Sequence, residues 1–277
     1  MKAYARILAA FVWVAPLTTP GVAHAIRPFV TDDARVVGKR LAQLETWLLV
    51  DRLAYEHNAL AAYGPTDWLE LTAGFVHGAN HTGAVRGYSI SGPILQAKAL
   101  IIAAQDNGWP GLAVAAGTLA PAGTGSLKAP GWGGFVYAAA TESLWNEAVL
   151  IHVNLGFAAA DNGSNASGSG GDQGSASPGG LSASGGNRAS TLTTSGIGVQ
   201  THLFAGLHSA TEVFYGDPFD PRTDYPAMQL GLRYIFNDNV QMDGTFGSTL
   251  VTVPGASQNE RFERWASVGI RLVSPKL

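Results

Sequence analysis

Val149-Leu150-Ile151-His152-Val153-Asn154-Leu155-Gly156-Phe157 alternates from Ile151 onward. In an extended chain Val149, Ile151, Val153, Leu155 and Phe157 share one face, and His152, Asn154 and Gly156 the other, because successive strand side chains point to opposite sides. The pattern recurs along the chain. Leu69, Leu71, Ala73 and Phe75 oppose Glu70, Thr72 and Gly74; Leu95, Ala97, Ala99 and Ile101 oppose Gln96 and Lys98. Further on, Ile197, Val199 and Leu203 oppose Gln200 and His202, and Met228, Leu230, Leu232 and Tyr234 oppose Gln229 and Arg233. With Gly, Pro, Asn and Asp clusters as boundaries, twelve strands are predicted, roughly over 41–53, 56–64, 67–79, 88–105, 109–120, 132–143, 147–160, 191–205, 207–217, 225–236, 239–253 and 260–273.

The connections fall into two sets. Gly64-Pro65-Thr66, Asp106-Asn107-Gly108, Leu144 to Glu147, Gly206 and Asn237-Asp238 are tight, whereas 78–87, 121–131, 161–190, 217–224 and 254–259 are longer. Only the first connection, near Ala54, breaks the rule. Short turns at one end and long loops at the other are what a bacterial outer-membrane barrel shows, with an even strand number and both chain ends on the periplasmic side. A soluble sandwich has no reason to sort its turns this way. The expected fold is all-β, one closed antiparallel transmembrane barrel of about twelve strands, with hydrocarbon forcing the first and last strands to pair.

Composition limits the classes of function. The chain has 277 residues, 35 Gly, no Cys and only 13% charged residues, against roughly 25% charged in ordinary soluble domains. Met1 to Ala25 reads as a signal peptide, with Lys2 and Arg6 before the apolar run Ile7 to Ala15 and Ala23-His24-Ala25 as the cleavage site. Removing those two basic residues from 17 leaves 15 against 20 acidic side chains, a net charge of −5. A nucleic-acid partner is therefore not expected. The best later candidate, Ala97 to Ala104, is only eight residues long and is broken by Lys98, far below the roughly 18 residues of a spanning helix.

Alternation alone does not say which face meets lipid. The polar set is rich in Gly, Ser, Thr and Gln and poor in charge, a thin coat for a water-facing exterior but suitable for a lumen. Trp109, Trp145 and Phe236 lie at the tight-turn end and Trp132, Tyr215 and Tyr225 at the loop end, as two interfacial girdles would. Trp68 has inward parity. The ten lumen-lining and permeant-contact candidates are Glu45, Glu70, Lys98, His152, Asn154, Gln200, Glu212, Arg233, Asp243 and Arg271. Their charged members either form a cross-lumen network that constricts the pore or contact the permeant; the network is favoured because buried charges need partners.

Three motifs stand near the start: Arg27-Pro28-Phe29-Val30-Thr31-Asp32-Asp33, Leu44-Glu45, and Tyr63-Gly64-Pro65-Thr66-Asp67-Trp68-Leu69-Glu70-Leu71. At these residues the chain resembles the outer-membrane transporter-like family named for the meta pathway of phenol degradation, whose members carry an RPxxTDD-type start, an LE pair and a YGxTDxLEL-type turn. The resemblance implies a porin-like barrel that moves aromatic or other hydrophobic compounds. Bottom-up, Gly64 gives the turn backbone freedom, Pro65 stiffness, and Thr66-Asp67 a cap. Asp32 and Asp33 suit a cation site or, preferably, a periplasmic strap or plug over 26–39 that folds back under the barrel.

Residues 161–190 hold 17 Gly or Ser among 30 and no apolar period, so a flexible external loop is expected inside the 40–277 barrel domain. His152 and Asn154 share a face with Ser and Thr residues, as in an acyl hydrolase, but no matching Ser, nucleophile elbow or metal motif accompanies them. No enzyme, catalytic residue, metal or cofactor is assigned. The expected role is a channel for small hydrophobic or aromatic molecules, with a structural or adhesive barrel as the alternative. Expected partners are outer-membrane lipid, a small permeant and the barrel assembly machinery. Barrels handed to that machinery usually end in an aromatic residue, whereas this chain ends Leu272-Val273-Ser274-Pro275-Lys276-Leu277.

Overall fold

The computed structural model describes residues 29–80, 87–129, 131–161, 190–219, 225–252 and 262–276. The signal segment, Arg27-Pro28 and nearly all of the Gly/Ser-rich stretch lie outside them. Twelve strands follow in order: β1 (Ala42–Asp51), β2 (Ala54–Tyr63), β3 (Leu69–Asn80), β4 (Gly87–Ile102), β5 (Gly111–Thr124), β6 (Gly133–Leu144), β7 (Val149–Ala160), β8 (Ser190–Phe204), β9 (Leu207–Tyr215), β10 (Pro226–Asn237), β11 (Val240–Thr249) and β12 (Arg264–Val273). Each pairs antiparallel with its neighbours in sequence, and β1 pairs with β12 from Gln43↔Val273 to Asp51↔Trp265. The sheet is closed.

Closure is sealed below the last strand, where Ser274 N–H donates to the Ala42 carbonyl, Ala42 N–H to Ser274 Oγ, and Val273 N–H to the Asn239 carbonyl. Strands of 9 to 16 residues meet or exceed the roughly 9–11 that cross a bilayer. The first external connection is indeed tight, a turn in which Asp51 Oδ1 accepts from Leu53 and Ala54 N–H at 2.6 and 2.7 Å.

The exterior carries the apolar set. Leu44, Leu71, Phe75, Leu95, Val136, Val153, Leu155, Phe157, Ile197, Leu230, Leu232, Phe246 and Val268 are exposed around the wall, an apolar area that water would penalise and hydrocarbon accepts. Trp109, Trp145 and Phe236 ring the turn end and Trp132 the loop end, all exposed. One expectation needs correction: Trp68 is 55% exposed rather than inward, because it precedes β3 and lies in the turn, where strand parity does not hold. Tyr215, the last residue of β9, and Tyr225, just before β10 begins, flank the loop end and are half-buried.

Candidate functional site: a lumen filled by the chain's own N-terminal segment

Residues 29–41 descend inside the barrel to enter β1 at the turn end, rather than passing beneath it. An extended segment without strand partners presents bare N–H groups, and a water-poor lumen must answer each one. The wall does so with side chains. Val30 and Thr31 N–H donate to the two Glu212 carboxylate oxygens at 2.8 Å each. Asn154 Oδ1 accepts from Asp32 N–H, and its Nδ2 returns a bond to the Asp32 carbonyl at 2.9 Å. Ala34 N–H donates to Thr141 Oγ1 at 2.9 Å and Val37 N–H to Glu70 Oε2 at 2.8 Å. The acceptors sit progressively nearer the turn end, so they fix the path as well as satisfy it.

Charges complete the anchorage. Lys98 Nζ lies 2.8 Å from Asp32 Oδ2 and 3.5 Å from Asp33 Oδ1, and Arg35 Nε donates to Asp33 Oδ2 at 2.9 Å. The cation facing the Asp pair is thus a lysine of the wall. Tyr137 Oη donates to Asp32 Oδ2 at 2.7 Å. At the exit, Arg40 N–H donates to the Gly64 carbonyl at 2.7 Å, and a Cβ on Gly64 would stand 1.9 Å from the Gly38 oxygen. Gly64 is needed for close approach of two backbones. Thr66 Oγ1 caps the turn by accepting from Leu69 N–H at 3.1 Å.

All ten candidates are buried on the inner face. Glu70, Lys98, Asn154 and Glu212 hold the segment. Arg233 Nε donates to Asp243 Oδ1 at 2.6 Å and its NH1 to Gln200 Oε1 at 2.5 Å, while its guanidinium lies 5.4 Å from the Phe29 ring centroid. Gln43 links Glu45 to Arg271, donating to Glu45 Oε1 at 2.7 Å and accepting from Arg271 Nε at 2.6 Å. Thr141 Oγ1, which accepts from Ala34, also shares a hydrogen bond with His152 Nδ1 at 3.0 Å, and His152 Nε2 is buried with no hydrogen-bond partner among the described residues. That imidazole is a bracket for the segment.

Above this polar half the lumen changes character. Val76, Ile94, Leu119 and Phe135 face inward on β3 to β6, and two external loops fold in upon them. Ala129 from the β5–β6 loop joins Ile94 and Leu119, and Phe219 from the β9–β10 loop places its ring 5.0 Å from Phe135. Ser89 and Ser91 hold the first loop by accepting from Leu127 and Ala129 N–H at 2.6 and 3.3 Å. A narrow cavity of about 50 Å³ runs beside the segment along the β1–β4 wall, from Phe219 past Tyr137 and Lys98 to Gln43 and Glu45. A second, of about 20 Å³, lies across from it between Phe29, His152, Glu212 and Arg233. The sequence reading missed Phe219, Leu127 and Ala129, which sit in loops where no period operates, and did not name Ile94, Leu119 and Phe135, apolar residues that share the inward face with polar ones.

No family model and no curated protein sequence matches the chain. Solved structures do match. The COG4313 outer membrane channel from Pseudomonas putida F1 is 12% identical at a TM-score of 0.56, covering 93% of this chain and 100% of that one. The KdgM porin in complex with disordered oligogalacturonate gives 7% and 0.53, and the NanC porin 10% and 0.52, each covering 83% of this chain and 98% of the other. The chain has the fold of an outer-membrane, porin-like barrel. These neighbours are channels and porins by name, and at such identities the likeness carries the fold alone.

Proposed function

We propose that this barrel is a passive outer-membrane channel for small hydrophobic molecules, aromatic ones among them, that pass beside an N-terminal segment lodged in its lumen. The observation that carries the reading is the apolar cluster of Val76, Ile94, Leu119, Phe135 and Phe219 packed above the side cavity, which Phe219 also lines. Apolar surface at that end of the path favours apolar solutes by roughly 25 cal/mol for each Å² removed from water. An acidic saccharide, as named with KdgM, finds little here, since Lys98 and Arg233 already face carboxylates. The resemblance to the phenol-degradation family supports the same solute class. The buried network has the character of a plug mount, with no exposed nucleophile beside His152 among the described residues, and supports transport over catalysis.

The test is electrical and chemical. Planar bilayers holding the purified chain should show small conductance steps. Glu70→Ala with Glu212→Ala should enlarge them several-fold, since Val30, Thr31 and Val37 lose their acceptors. Vesicles with the chain should take up an aromatic solute faster than protein-free vesicles. Silence in both bilayer experiments together with unaltered uptake overturns the proposal.

A further inference from the structure

The membrane-facing wall carries one feature that an apolar belt does not require. On the outer face of β1 to β3, Thr46, His57 and His77 form a hydrogen-bonded row: Thr46 Oγ1 and His57 Nε2 are 2.6 Å apart, and His57 Nδ1 and His77 Nε2 2.8 Å apart. Its direction follows from the protons. Thr46 Oγ1 donates to the Asn58 carbonyl at 2.9 Å, so it accepts from His57 Nε2–H; His57 Nδ1 then accepts from His77 Nε2–H. The row ends at His77 Nδ1, an acceptor flanked by the rings of Phe75 and Tyr88 at 5.9 and 5.7 Å. Ionisable groups on a lipid-facing wall are costly and mark function. Among the described outward positions of the strands, only Glu142 and Arg264 are otherwise charged at neutral pH, both close to a strand end.

The second feature is the rim above. Asp51↔Trp265 is the last β1–β12 pair, so the next positions along the two strands are Arg52 and Arg264, both exposed. Below them Val50, Tyr55, Leu48 and Val268 make an exposed apolar strip leading to the histidine row. Two cations at the external interface, an apolar strip, and a hydrogen-bond acceptor three residues below the rim match one kind of molecule. From this geometry we infer that the β12–β1–β2–β3 face docks a phosphorylated outer-leaflet lipid with hydroxylated acyl chains. Its phosphate meets Arg52 and Arg264, its chains lie on the strip, and an acyl hydroxyl donates to His77 Nδ1. This inference does not depend on what the lumen passes.

Native mass spectrometry of the detergent-solubilised full chain, titrated with bis-phosphorylated lipid A, tests it. Wild type should retain lipid A over its dephosphorylated form. Arg52→Gln and Arg264→Gln should each lower retention about fivefold, the weight of one cation at a membrane surface. Lys128→Gln, at another part of the rim, should leave it unchanged. His57→Leu with His77→Phe should lower it about threefold, the worth of one hydrogen bond, at equal heat-modifiability on gels; the arginine pair decides the matter if that variant fails to fold. Unchanged retention in the arginine variants, equal retention of dephosphorylated lipid, an equal fall with Lys128→Gln, or a dimer abolished by the same arginine substitutions each overturns the inference.

Discussion

The lower and upper halves of one lumen are built on opposite rules. Below, Glu70, Thr141, Asn154 and Glu212 answer named N–H groups of the internal segment, so each of these wall residues has directional partners that it must meet. Above, Ile94, Leu119, Phe135 and Phe219 pack among apolar groups of the wall and a loop alanine, contacts that are non-directional and tolerant of exchange. The difference separates holding from receiving. A polar mount fixes position because a missing partner leaves a buried charge or donor bare, whereas an apolar chamber accepts shapes that differ by a methylene.

The strongest way to break the comparison is at Arg233. Asp243→Ala leaves that guanidinium buried at 1% exposure without the carboxylate 2.6 Å away, and the loss should be about 3–5 kcal/mol. Arg233→Met with Asp243→Leu removes both charges and should cost much less. Urea unfolding in detergent, followed by tryptophan fluorescence, measures both. If the single variant unfolds no earlier than the double one, the lower half does not work as a set of obligatory pairs.

Phe219 sharpens the other side. Phe219→Ala deletes a ring 5.0 Å from Phe135 on a loop held by its own Asp217 turn. Affinity of the chamber for an aromatic solute should fall about tenfold, in line with the roughly 0.5–1.5 kcal/mol of a ring pair, while the unfolding midpoint stays put. A shifted midpoint with unaltered affinity would make Phe219 a structural clamp and the chamber incidental.

How much of this was legible depended on where periodicity operates. Strand count, closure and the inward set, Lys98 and Arg233 included, followed from alternation and turn asymmetry, since a barrel wall leaves each side chain only two directions. The motifs near the start carried more than their turn chemistry showed. Thr31-Asp32-Asp33, Glu45, Gly64, Thr66 and Glu70 come together where the segment is mounted and leaves the lumen, yet in sequence they are separate fragments. A strap under the barrel and a plug within it share the same residues. Long-range pairings such as that of Glu212, some 180 residues away, decide between them, and no spacing along the chain encodes them. The histidine row was illegible for the same reason, being made by register across three strands.

The smallest effect is expected where the polar contacts stand in water. In the β4–β5 turn, Asp106 accepts from Ser143 Oγ at 3.0 Å and from Asn146 and Glu147 N–H at 2.9 and 3.3 Å, tying two neighbouring periplasmic turns together. The Asn146 N–H first, then Ser143 and Glu147, hold its carboxyl below the ordinary carboxylate range. A depressed pKa places the stabilisation above the unfolded value of 3.8, and it is lost as pH falls below that value through the folded one. Full exposure to solvent screens the effect. Asp106→Asn keeps one acceptor oxygen but no charge. It should lower the thermal midpoint slightly at pH 7 and converge with wild type only as acid takes the pH below the depressed folded value. A gap that persists undiminished in acid would assign the turn's strength to shape rather than charge. The contrast with Asp243 would then rest on burial alone.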